Sequence, residues 1–184
     1  IITYPGEMGE DAARGCGFAP RVIGSIEPGD TTAQDTERAA REMLELDVDL
    51  LLFAGGDGTA RNIYNAVRDR LPVLGIPSGV KIHSAVFGVS PRRAGDLASS
   101  YVEGNVAHLR EAEVMDIDEE AVRRGVVSAK LYGYLRVPFR RRFLQGLKTP
   151  SSPGEEAAQA AIAADVVTKM KGGWLTIIGP GTTT

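Results

Sequence analysis

Val48-Asp49-Leu50-Leu51-Leu52-Phe53-Ala54-Gly55-Gly56-Asp57-Gly58-Thr59 is a short apolar run that halts at two glycines and resumes as a polar segment. A run of this length, bounded this way, predicts a strand buried on both faces of a parallel sheet. From Thr59 through Val67, the residues Ile63, Tyr64 and Val67 fall on one side of a helix, and Pro72-Val73-Leu74-Gly75-Ile76 predicts the next parallel strand. Upstream, Thr31-Thr32 followed by Asp35 has the form of a capping pair. Thr36, Ala39, Ala40, Met43 and Leu44 then recur at helical spacing, so a helix is expected over residues 33–46. Helix, strand, loop, helix, strand is the grammar of an α/β fold with a doubly wound, mostly parallel sheet.

Downstream, Pro77-Ser78-Gly79 forms a second loop leading into an expected helical stretch from Lys81 to Phe87. Ser90-Pro91 supplies an N-cap and a first-turn proline for a further helix ending at Gly104. The pattern then changes. Val114-Met115-Asp116-Ile117-Asp118 and Val126 through Val137 alternate and are rich in β-branched and tyrosine residues, which predicts antiparallel strands joined by a turn near Arg124-Gly125. Residues 1–107 are therefore expected to form an α/β nucleotide-binding domain, and 108–184 an incomplete β-rich second domain. Within the latter, Ser152-Pro153-Gly154-Glu155 predicts the start of a helix reaching Met170, and Trp174 to Ile178 another strand. The opening Ile1-Ile2-Thr3-Tyr4 reads as the end of a strand. The closing Gly179-Pro180-Gly181-Thr182-Thr183-Thr184 reads as if a helix should follow, so a piece is expected to be missing on each side.

Bulk properties narrow the function. A chain of 184 residues that is 43% hydrophobic and 24% charged matches ordinary globular composition. A formal net charge of -3 lacks the broad basic footprint of a nucleic-acid tracker, so no nucleic acid is expected as a partner. Cys16 is the sole cysteine, which rules out an internal disulfide framework or a thiolate metal cluster and suits a reducing cytoplasm. No apolar run is long enough to span a membrane, so no membrane partner is expected; the expected state is a homo-oligomer acting on small nucleotides.

In an open parallel sheet, ligands gather outside the carboxyl ends of the strands, where Gly55 to Thr59 falls. Glycines at 55, 56 and 58 leave backbone N–H groups uncovered and permit positive φ, so the loop can curl around a phosphate at the positive end of the following helix. Asp57 does not suit a cradle, because a carboxylate beside phosphate is repelled unless a cation or a proton transfer compensates. It can accept the proton of an attacking hydroxyl or help hold Mg²⁺, whereas the simpler alternative makes it a helix cap in a tight turn. Thr59 can cap the helix and donate to a phosphate oxygen. The loop is neither a Walker loop nor a Gly-x-Gly-x-x-Gly fingerprint.

Phe53-Ala54-Gly55-Gly56-Asp57-Gly58-Thr59 resembles the GGDGT motif of the superfamily that includes NAD kinases and diacylglycerol kinases, and Val73-Leu74-Gly75-Ile76-Pro77-Ser78-Gly79 resembles its second loop. Gly75 to Val86 with Lys81-Ile82-His83-Ser84, Glu113 to Asp118, and the terminal Gly-Pro-Gly-Thr-Thr-Thr look like a prokaryotic ATP-NAD kinase-like branch. The resemblance implies an amino-terminal α/β domain, a β-rich second domain and a site in the cleft between them. It also implies phosphoryl transfer from ATP or inorganic polyphosphate, with Mg²⁺, to the ribose 2'-hydroxyl of NAD, Asp57 being the base by match to the motif aspartate. Asn62 sits one turn into the helix, but the Asn-Glu/Asp pair that orients NAD in typical NAD kinases is not visible.

The remaining candidates each carry two readings. Lys81 suits a phosphate as a point charge, or is a solvated lysine. His83 is a site residue, or a structural histidine at a helix start. Ser78 and Gly79 meet a phosphate, or Ser78 only caps a helix. Arg61 neutralises charge on a transferring phosphoryl group, or points to solvent. Arg140-Arg141-Arg142 meets a polyanionic donor, or forms an exposed charged face. Two other functions compete: a lipid kinase of the same superfamily, although Pro77 to Lys81 departs from the Gly-Thr-Gly-Asn-Asp pattern of that branch, and a nucleotide-binding sensor without turnover, which would gain nothing from Asp57.

Overall fold

The computed structural model describes residues 1–79, 82–117, 129–140, 143 and 167–168. The chain divides into two compact units, Ile1–Leu147 and Lys148–Thr184. In the second, the described pair Val167 and Thr168 is helical and exposed, within the stretch expected to be a helix. The remainder of that helix, the Trp174 to Ile178 strand and the terminal Gly-Pro-Gly-Thr-Thr-Thr lie outside the described residues, as do Lys81, Asp118 and the Arg124-Gly125 turn.

The first unit is a mixed α/β structure. Its elements run β1 (Ile2–Thr3), a 3-10 turn (Gly6–Met8), α1 (Glu10–Gly15), β2 (Arg21–Val22), α2 (Ala33–Glu45), β3 (Leu51–Gly55), α3 (Asp57–Val67), β4 (Val73–Pro77), α4 (Pro91–Val102), β5 (Leu109–Ile117) and β6 (Ala129–Pro138). Among the described residues the strands form three two-stranded sheets, β1 with β2 and β3 with β4 in parallel, and β5 with β6 antiparallel.

The helix starts follow local chemistry. Thr32 caps α2, and the Asp35 carboxylate accepts from the Thr32 N–H at 2.8 Å and from its hydroxyl at 2.7 Å. Ser90 caps α4, its hydroxyl accepting from the Arg93 N–H at 3.3 Å, with Pro91 in the first turn. The bonds from the Thr32 hydroxyl and amide, then the guanidinium of Arg38, hold the Asp35 carboxyl below the usual carboxylate range. Its stabilising contribution is therefore complete above the unfolded-state pKa and is lost as pH falls through the lower folded value. Asp35→Asn has no such contribution to lose, so its melting temperature is expected to drop less than that of the wild type on acidification from about pH 5 to pH 3. Parallel melting curves across that window would remove Asp35 from the acid limb.

The core joins both kinds of sheet. Ile63, Ala66 and Val67 of α3, Val73 and Leu74 of β4, Phe87, and Leu97 of α4 pack in one cluster with Ala112, Val114, Leu135 and Val137 from the inner face of the β5–β6 hairpin. Over residues 134–137 β6 alternates, with Leu135 and Val137 buried and Tyr134 and Arg136 turned outward. Tyr132, the extra residue at the β5–β6 register shift, meets Tyr64 of α3 edge to face and donates to the side-chain carbonyl of Asn65 at 3.0 Å.

Two expectations need correction. The strand expected to be buried on both faces is covered on one: Leu51 and Phe53 are buried, while Leu52 is 46% exposed and Ala54 is also exposed. A continuous apolar run reads as two-faced burial only when helices cover both sides. The second concerns Lys81 to Phe87, where the described residues Ile82 to Phe87 do not form a helix. They cross between β4 and β5 in open backbone. The Gly75 N–H donates to the Val86 carbonyl at 2.9 Å, the Gly88 N–H to the Gly75 carbonyl at 2.9 Å, and the Ala85 N–H to the Glu113 carbonyl at 2.8 Å. The two flanking strands offer bonds that outweigh local helix preference. Gly75 makes the crossing possible, because a Cβ there would run into the Phe87 ring.

Candidate functional site

The site begins where β3 ends. Gly56 is the N-cap of α3, in extended backbone at φ -124° and ψ -162°, and no side chain caps the helix. The first-turn N–H groups of any helix lack intrahelical acceptors, so this end offers donors to an anion. Neither Gly55, Gly56 nor Gly58 has positive φ, contrary to the freedom expected of them. Their smallness serves space instead. A Cβ on Gly55 would collide with the Thr59 hydroxyl, whereas around the places a Cβ would occupy on Gly56 and Gly58 there is no atom within 4 Å. Thr59 accordingly does not cap α3; it lies inside the first turn with its side chain over Gly55.

The second loop closes onto the first. The Ser78 N–H donates to the Gly55 carbonyl at 3.1 Å, and a methyl on Gly79 would stand 3.8 Å from the Gly56 Cα. Ser78 caps nothing, because no helix follows it in the described residues, and it is exposed together with Gly79. Asn62 and Arg61 are half-buried on α3, one turn along from Asp57.

Asp57 opens α3 and is 8% exposed. Its Oδ2 accepts from the His83 N–H at 2.9 Å and its Oδ1 from the Ser84 N–H at 2.9 Å. The alternative that Asp57 merely caps its own helix is thus not what occurs: the carboxylate reaches across to two consecutive amides of the crossing segment. Those bonds are scaffolding, yet they use only about two of roughly four lone-pair directions on an ionised carboxylate. The remaining directions can accept the proton of an incoming hydroxyl. His83 takes part through its backbone and does not start a helix.

One contributor was not singled out from the sequence. Ser84 is 1% exposed; its Oγ accepts from the Met115 N–H at 2.9 Å and lies 3.3 Å from the Met115 carbonyl, to which it donates. Only the register of the crossing segment against β5 reveals it, and a serine in a presumed helix start gives no such signal. Arg140 stacks near Phe143, 5.5 Å from the ring centre, and Arg93 shares that ring at 5.2 Å. Arg141 and Arg142 lie outside the described residues. Among the described residues, no group of three or more His, Cys, Asp or Glu side chains could hold a metal ion, and no helix is long and apolar enough to cross a membrane.

Residues 1–106 match the family described as the ATP-NAD kinase N-terminal domain. The chain is also similar to a threonine–tRNA ligase of Thermosynechococcus vestitus, 28% identical over 95 residues that make up 52% of this chain and 16% of that protein. No solved structure matches.

Proposed function

Since the chain belongs to the ATP-NAD kinase family through its N-terminal domain, we propose that it transfers a phosphoryl group from ATP or inorganic polyphosphate to the ribose 2'-hydroxyl of NAD, giving NADP. The observation that carries this reading is the Asp57 carboxylate, held by two backbone amides at the point where two glycine loops close together. A finer architecture goes with it: a doubly wound sheet followed by a β-rich second domain.

Asp57 takes the proton of the acceptor hydroxyl while that oxygen bonds to the terminal phosphorus of the donor. The bond from that phosphorus to its bridging oxygen breaks, and ADP or a shortened polyphosphate leaves. The N–H groups at the start of α3, with Gly55, Gly56, Gly58 and Thr59, face the phosphates. Ser78, Gly79 and His83 line the second loop's side of the nucleotide and Asn62 its flank, while the role of Lys81 is to supply positive charge for the phosphates. Mg²⁺ belongs to the donor substrate, carried on its phosphates, an arrangement that asks the protein for one or two carboxylates at most.

Incubation of the protein with NAD, Mg²⁺ and either ATP or polyphosphate is expected to yield NADP. Failure with both donors, together with phosphorylation of diacylglycerol or a sphingoid base, would replace this reading by a lipid kinase. Nucleotide binding without any product would leave a sensor.

A further inference from the structure

We propose that Ser84 is a positioning residue for Asp57, its hydroxyl tying to β5 the backbone that presents its N–H to the carboxylate. This rests on the kinase reading only for its catalytic consequence; the geometric part stands without it.

In a strand ladder, the backbone groups of one strand are satisfied by the backbone of the next. At the meeting of the crossing segment with β5, Ala85 follows that rule, its N–H donating to the Glu113 carbonyl at 2.8 Å. One residue earlier the rule is broken. The Ser84 side chain, not its backbone, serves Met115, accepting from its N–H at 2.9 Å and donating to its carbonyl at 3.3 Å. Because the Ala85 N–H faces β5, the Ser84 N–H faces the other way and donates at 2.9 Å to Oδ1 of Asp57. The β5–β6 register shifts between Val114 and Met115, where β6 carries Tyr132 as an extra residue. Ser84 is 1% exposed, so its hydroxyl is shielded from bulk solvent.

Alanine at 84 removes both bonds to Met115, so the backbone that presents the Ser84 N–H to Asp57 loses its tie to β5. A carboxylate that has lost one of two anchors no longer holds its alignment on an acceptor hydroxyl, and small misplacements cost rate rather than binding.

Two measurements on the intact protein test this. By amide hydrogen exchange, the His83 and Ser84 amides are expected to be protected in the wild type. In Ser84→Ala, the amides at 83 and 84 should exchange about tenfold faster or more. In steady-state assays with NAD, ATP and Mg²⁺, Ser84→Ala should lower kcat on the order of 10-fold to 100-fold and leave both KM values within about twofold. Leu97→Ala, in the core of α4, gives a destabilised control whose kcat should remain at the wild-type value below its melting temperature. Unprotected amides at 83 and 84 in the wild type would overturn the proposal whether or not any variant folds. So would a folded Ser84→Ala with unchanged kcat, or a kcat that follows stability equally in both variants. A wild type that makes no NADP but shows the predicted exchange pattern would sink the kinase reading and leave the anchoring role of Ser84 in place.

Discussion

Asp57→Asn is expected to lower kcat by about 10²- to 10⁴-fold, the range that a positioned general base supplies, with nucleotide binding retained. Asparagine keeps the shape and loses the proton acceptor, so turnover close to wild type would exclude Asp57 as the base. The structure adds a second, separable effect. Both carboxylate oxygens accept from backbone amides, the His83 and Ser84 N–H groups, each at 2.9 Å. Asparagine has one oxygen and one NH₂, so whichever way it flips, one buried N–H faces another donor. Leaving such a group unpaired costs about 1–3 kcal/mol. Asp57→Asn should therefore melt earlier than the wild type as well as turn over slowly, and the two losses respond differently to assay temperature. Cooling restores folding and does not restore the missing base.

The second large effect is in the core. Phe87 is fully buried against Phe53, edge to face with ring centres 5.4 Å apart, and lies over Gly75 where no side chain intervenes. Phe87→Ala should destabilise by about 3–5 kcal/mol through lost burial and the void left behind. Gly75→Ala should destabilise by about 1–3 kcal/mol, because its methyl must displace the ring. The double variant is expected to cost less than the sum of the two, since the new methyl enters space that the ring has vacated. Strict additivity in denaturant melts would show that the methyl and the ring do not compete for one volume.

Legibility from sequence followed the range of the interactions. The starts of α2 and α4 were readable because their caps lie within three residues: Thr32 with Asp35, and Ser90 with the Arg93 N–H. The strand, glycine loop and helix around Asp57 were readable for the same reason, as was the alternation that placed β5 and β6 side by side. Residues 82–87 were misread because their conformation is set by Gly75 and Glu113, neither of them a local neighbour. Of the two properties read for the glycines at 55, 56 and 58, absence of bulk holds and positive φ does not, since both leave the same letter in a sequence. Burial of β3 on a single face was invisible because an apolar run records what a strand tolerates, not what covers it. Ser84 remained unmarked for the same reason as the crossing, its role being defined by Met115.

The separations in this network bear on how the protein is made. Asp57 is bound by residues 26 and 27 positions ahead of it, and Ser84 by one 31 positions further still. A ribosome must therefore release the chain well past Met115 before the glycine loop can acquire its final shape. Closing loops of that span costs entropy before any bond repays it, so this corner of the molecule should be among the last to settle during translation. Nascent chains halted upstream of β5 would then carry α2, β3 and α3 but remain unable to hold the aspartate in place.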